Sequence, residues 1–186
     1  VRSRGLGDVY KRQAQIADLP LGTYKVVEKT APEGFVLNEE AQTVTFSYKD
    51  QKTPVIEQTA AFENDRQKVE VSVVKQDAEN ETVVAGAEFG LYAKEDILAH
   101  GEVAVKADTL LGKAVSNEDG KAVFELDLPF GSYYIKELAA PAGYVSSFET
   151  LEVTAKYQGQ DVKVVKLESI FKNQPTKVTF KKSDIT

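Results

Sequence analysis

One phrase occurs twice in this chain, with the copies 109 residues apart. The first is Gly22-Thr-Tyr-Lys-Val-Val-Glu28-Lys-Thr-Ala-Pro-Glu-Gly-Phe35. The second is Gly131-Ser-Tyr-Tyr-Ile-Lys-Glu137-Leu-Ala-Ala-Pro-Ala-Gly-Tyr144. Both follow an Asp-Leu-Pro, at Asp18 and Asp127, and both are followed 36 residues past the Glu by an asparagine in Phe-x-Asn, Asn64 and Asn173. A sequence that repeats at a fixed offset folds as repeated units, so whatever structure serves one copy has to serve the other. The offset divides the 186 residues into a complete repeat at 67–175, the C-terminal part of another at 14–66, and the first strand of a third at 176–186.

Each unit reads as β-structure. Short alternating runs of β-branched and aromatic residues recur at Thr43–Tyr48, Val69–Val73, Ala122–Leu126, Ser132–Ile135, Leu151–Ala155 and Val162–Leu167. Turn chemistry separates them, in Asn117-Glu-Asp-Gly120, Pro129-Phe-Gly131, Pro141-Ala-Gly143 and Gln158-Gly-Gln160. Several short strands spaced by such turns predict an all-β sandwich. Ala93–Ala99 is expected to make one helical turn.

Composition removes several function classes. Net charge is −6 with acids and bases interspersed, so the basic stripe of a nucleic-acid binder is missing. The chain has no Cys and a single His, His100 in Ala-His-Gly, which excludes disulfides, thiolate metal sites and a conventional catalytic triad. His100 reads as a solvated loop residue, no metal or other cofactor is implied, and no apolar run is long enough for a transmembrane helix. Residues 1–13 are basic, lack strand alternation, have no counterpart in the second copy and lack the apolar region of a signal peptide. They resemble translated sequencing-adapter sequence and are expected to be a non-native leader.

Strand parity decides where three polar residues point, because successive side chains alternate between faces. Val69, Val71, Val73 and Lys75 share a face, opposite Glu70 and Ser72. Tyr133, Ile135 and Glu137 share one, as do Val165, Leu167, Phe171 and Asn173. The first copy repeats the pattern in Tyr24, Val26 and Glu28 and in Ile56, Ala60, Phe62 and Asn64. The opening of the third aligns Val178, Phe180 and Lys182. A lone strand-end Lys snorkels to water and a lone strand-end Glu is solvated. A buried Lys–Glu ion pair would account for two of the three groups, but not for a carboxamide at fixed spacing in both copies. Buried together, they have to satisfy one another.

That trio has a chemistry. An ε-amine attacks a carboxamide carbon only when neutral, and an apolar core favours the neutral forms of amine and acid alike. The acid can then polarise the amide carbonyl and carry a proton to the departing ammonia. The product is a Lys–Asn isopeptide bond, formed once.

The pattern Leu128-Pro-Phe-Gly-Ser-Tyr-Tyr-Ile-Lys-Glu-Leu-Ala-Ala-Pro-Ala-Gly-Tyr144, with Gly86-Ala-Glu-Phe-Gly-Leu-Tyr92 upstream, resembles the B-type repeat of Gram-positive collagen adhesins and SpaA-like pilins. The resemblance covers 14–186 and implies tandem Ig-like, prealbumin-like sandwiches, one complete and two truncated. It implies that Lys75 on the first strand and Asn173 on the last become joined, with Glu137 on a strand between them as the catalytic acid. Glu28, Asn64 and Lys182 are the equivalent positions of the truncated repeats. The first copy departs from the family by ending in Gly34-Phe35 and by lacking a Lys-bearing strand.

On that resemblance the chain is expected to be a structural stalk repeat of an extracellular, cell-wall-associated adhesin or pilin-like protein. It would work by self-cross-linking rather than by turnover. Its partners would be neighbouring repeats and, through other domains of the parent, a host matrix or cell-surface ligand. The alternative is an adhesive sandwich that binds ligand itself and keeps an unlinked Lys–Glu–Asn cluster. The segment 93–116, where such binding would be sought, has no aromatic residue.

Overall fold

The computed structural model describes residues 14–99 and 102–182, and these fall into two compact units. Residues 1–13, His100 and the last four residues of the 176–186 stretch lie outside the described residues. Among the described residues there is no helix, and the architecture is all-β.

The first unit comprises the described residues up to Ala31 together with Leu37–Asn64. Its regular structure is one antiparallel hairpin, β1 (Gly22–Val26) with β2 (Gln42–Phe46), registered Gly22 to Phe46. Residues 55–64 form no strand, although burial alternates through Phe62 and Asn64 as the sequence predicts.

The second unit comprises Pro32–Val36 and the residues from Asp65 onward. It contains β3 (Lys68–Asp77), β4 (Glu88–Ala93), β5 (Ile97–Ala99), β6 (Glu102–Val105), β7 (Leu110–Val115), β8 (Lys121–Phe124), β9 (Gly131–Ala139), β10 (Thr150–Ala155) and β11 (Val164–Asn173). One sheet has the order β10-β9-β4-β7, a second has the order β11-β3-β8, and β5 and β6 form a separate hairpin.

Strand alternation explains how the two larger sheets close on each other. Val69, Val71 and Val73 of β3, Ala122 and Phe124 of β8, and Val165 and Phe171 of β11 are buried with Phe89 and Leu91 of β4 and Tyr133 and Ile135 of β9. Phe89 meets Phe171 edge to face at 5.3 Å, an arrangement favoured by the ring quadrupoles. Ser72, expected on the open face of β3, is also buried, its hydroxyl 3.4 Å from a Glu168 carboxylate oxygen on the adjacent strand.

The Asn117–Gly120 turn carries the chain from β7 in one sheet to β8 in the other. Asn117 Oδ1 accepts from the backbone N–H groups of Asp119 and Lys121, and Gly120 takes φ +71°. Gly120 is packed hard against β3: its carbonyl accepts Lys75 N–H at 2.7 Å, and a Cβ there would lie 2.8 Å from Lys75 O.

Two expectations are corrected. The helical turn over Ala93–Ala99 is absent, because Ile97–Ala99 pair antiparallel with β6 and Ile97 packs on the core instead. Residues 176–182 form no strand, and Val178 and Phe180 are 94 % and 89 % exposed. Alternation buries a face only where another sheet or strand covers it.

Candidate functional site

The end of β3 brings Lys75 inward on the parity of Val69, Val71 and Val73, and its side chain is 0 % exposed. Its Nζ donates to Gln76 O at 2.9 Å and lies 5.3 Å from the centre of the Tyr144 ring. Burial lowers its pKa from the ordinary lysine value, while the charges of Glu137 and then Asp77 act in the opposite sense.

Glu137 stands on β9, on the face of Tyr133 and Ile135 and opposite Phe89, where a bulge separates that pair from Glu88 and Ala139. Beyond β9, the Pro141–Tyr144 turn closes with Tyr144 N–H on Pro141 O at 3.1 Å and Gly143 at φ +88°. The chain then runs back along the end of β11. Val145 N–H donates to Gln174 O, and Thr176 N–H donates to Gly143 O.

β9 and this return together bring three acceptors to Asn173, which is 2 % exposed. Asn173 Nδ2 donates to Glu137 Oε1 and Oε2, each at 2.8 Å, and to Val145 O at 2.9 Å. Ser147 N–H donates to Glu137 Oε2 at 2.9 Å. Asn173 Oδ1 is buried without a hydrogen-bond partner among the described residues. An orphaned carbonyl oxygen is costly, and it leaves one acceptor in the site that a proton donor could use.

The ladder fixes where Lys75 lies relative to this pair. β11 runs parallel to β3, with Phe171 opposite Lys75 and Asn173 opposite Asp77. Lys75 and Asn173 thus project from neighbouring strands on the inward face, two ladder positions apart. The three residues read from the sequence meet at one end of the sandwich.

The first unit reproduces half of the arrangement. Asn64 Nδ2 donates to Glu28 Oε2 at 2.6 Å, and Asn38 N–H donates to the same oxygen at 3.1 Å. Asn38 precedes Ser147, and Tyr24 precedes Tyr133, by the repeat offset. The hydroxyls of both tyrosines donate to a proline carbonyl four residues back. Lys182, the lysine of the third copy, is exposed and outside any strand.

Asp77 and Tyr144 were given no part in the site on sequence grounds. The Tyr144 hydroxyl donates to Asp77 Oδ2 at 3.0 Å. Asp77 Oδ1 accepts from Glu79 and Asn80 N–H, and these bonds, the Tyr144 hydroxyl and the nearby charge of Lys75 hold its carboxyl below the ordinary carboxylate range. The only signal available was that Tyr144 closes the repeated phrase after Gly143. Among the described residues no group of His, Asp and Glu could hold a metal, and no helix is long and apolar enough to cross a membrane.

Comparison with known proteins adds a family. The SpaA model, a prealbumin-like fold domain, matches residues 11–60 and 69–169. No curated protein matches the chain. Among solved structures, the Bacillus anthracis TIE protein is 29% identical over 84% of this chain and 26% of its own, with a TM-score of 0.55. BcpA, the major pilin subunit of Bacillus cereus, is 24% identical over 60% of this chain and 31% of its own, with a TM-score of 0.40. The full-length major pilin SpaD from Corynebacterium diphtheriae is 20% identical over 64% and 33%, with a TM-score of 0.46. The chain spans about a quarter to a third of the length of these proteins.

Proposed function

We propose that this chain, which belongs to the SpaA family of prealbumin-like domains, is a stalk segment of a Gram-positive cell-surface adhesin or pilin, stiffened by an isopeptide bond between Lys75 and Asn173. The observation that carries this reading is the hydrogen bonding of Glu137 to the buried Asn173, with the fully buried Lys75 on the adjacent strand.

The chemistry is a single self-reaction rather than turnover. Lys75 Nζ, as the neutral amine that burial favours, attacks Asn173 Cγ. Glu137 takes a proton from the attacking nitrogen and delivers it to Nδ2. The Nζ–Cγ bond forms, the Cγ–Nδ2 bond breaks, and ammonia leaves. Folding supplies the orientation, which is worth roughly 7–11 kcal/mol of barrier in well-aligned intramolecular reactions.

Parallel pairing of β3 and β11 gives the bond a mechanical use. Tension entering at the start of β3 would run to Lys75, cross to Asn173 and leave at the end of β11. The rest of the sandwich would carry none of it. Such a unit suits an extracellular shaft joined head to tail with neighbouring repeats.

Intact mass tests the proposal. The full chain is expected to be lighter than its sequence mass by one ammonia, and Glu137→Ala to restore the full mass. Full mass in the parent protein would overturn the cross-link and leave an unlinked polar cluster.

A further inference from the structure

We propose that Tyr144 and Asp77 are a positioning pair, in which the Asp77 carboxylate pins the Tyr144 ring as a lid over the Lys75 amine and keeps water from it. The inference rests on the reading of Lys75 as the attacking group. The geometry is that of a tether and a cover. The ring centre is 5.3 Å from Nζ, and the ring's own hydroxyl is held at 3.0 Å by a carboxylate two residues along the strand from that lysine.

The tether is rigid at its far end. Asp77 is buried, and its other oxygen is fixed by the N–H groups of Glu79 and Asn80. The cover is fixed at its near end, because the Tyr144 backbone is bridged to Pro175, two residues beyond Asn173. The ionisable groups facing the amine are Glu137 from β9, Asp77 from β3 and Tyr144 from the turn after β9. Asn173 on β11 and the backbone of Gly120 bring no titrating group.

A ring over an ammonium attracts it, and a ring that excludes water from it favours the neutral form. The lid is therefore useful only if exclusion outweighs attraction, and desolvation is the largest influence on Lys75. The first copy of the repeated phrase has Phe35 at this place, with the same turn closed by Phe35 N–H on Pro32 O. That turn accommodates Phe, so Tyr144→Phe removes the tether without breaking the backbone.

The test uses the full chain with carbon-labelled lysine in a Glu137→Gln background, where no bond forms, and follows the Lys75 titration by NMR. Lys75→Met assigns the signal. Adding Tyr144→Phe is expected to raise the Lys75 midpoint by about one pH unit as water reaches the amine. In the reactive background, followed by intact mass after cell-free synthesis and transfer to buffers of different pH, Tyr144→Phe is expected to slow ammonia loss about tenfold near neutrality. The parent rate should return about one pH unit higher. An unmoved midpoint overturns the lid. Full mass in the parent overturns the cross-link instead, and the titration pair still decides the lid.

Discussion

Replacing Lys75 by Met separates the cross-link from everything else the site contributes. Met fills a similar volume, brings no charge and leaves the Glu137–Asn173 pair in place. The proposed bond would close a loop from position 75 to position 173. In the chain-entropy relation for cross-links, a loop of about 100 residues restricts the unfolded chain by about 4.7 kcal/mol. For a unit of this size, one kcal/mol moves the midpoint by about 4 °C, so the Lys75→Met protein should melt roughly 20 °C below the parent. Glu137→Gln should melt lower still, because it leaves an unlinked amine buried beside an amide rather than a carboxylate. Calorimetry of the full chain, with intact mass on the same samples, checks both. A Lys75→Met transition within about 5 °C of a parent that has lost ammonia would refute the loop-closure reasoning.

Three further outcomes follow from the geometry. In the unlinked Asn173→Ala protein, Lys75 binds its proton less tightly folded than unfolded. Stability should therefore rise with pH between the depressed folded value and the ordinary lysine value of about 10.4. The linked parent, whose amide does not titrate, should show no such rise; Tyr133, pushed up to about 12, begins to oppose it only above about pH 10. Gly120→Ala should destabilise the second unit by about 2 kcal/mol or more, read from denaturant midpoints, because a left-handed φ is combined with a backbone contact on Lys75 O. Pulled between residues 67 and 174, the linked unit should release almost no chain, whereas Lys75→Met should release about 350 Å more.

The face of each strand was legible in the sequence because alternation has a period of two and a buried sheet leaves it no freedom. Lys75, Glu137 and Asn173 were placed inward on that ground, and they lie inward. Neighbour relations were not legible. That β3 is flanked by β11 in parallel and by β8 antiparallel is decided by packing between residues far apart in the chain. Ala93–Ala99 misled because Lys94-Glu-Asp96 is too polar to show alternation, while Ile97 draws its strand from the core and from β6. Val178 and Phe180 alternate correctly and still form no strand, since pattern states which face would be buried but supplies nothing to bury it. The Tyr144–Asp77 bond joins residues 67 apart and had no period to reveal it.

The two unequal copies show what each part of the phrase encodes. In the first unit the carboxylate already holds the asparagine amide and the N–H ten residues on, as in the second, while residues 55–64 are not in a strand ladder. The Glu–Asn half of the site is therefore built by the segment from Glu to Asn itself. The lysine belongs to a different stretch of chain and reaches the amide only through the parallel ladder of β3 with β11. In the proposed reaction the electrophile would be oriented within one segment of 36 residues, whereas the nucleophile would be delivered by pairing of strands far apart in the chain. A reaction arranged this way cannot link a lysine to the asparagine before the strands have found their register. The proposed cross-link would therefore report a correctly closed unit.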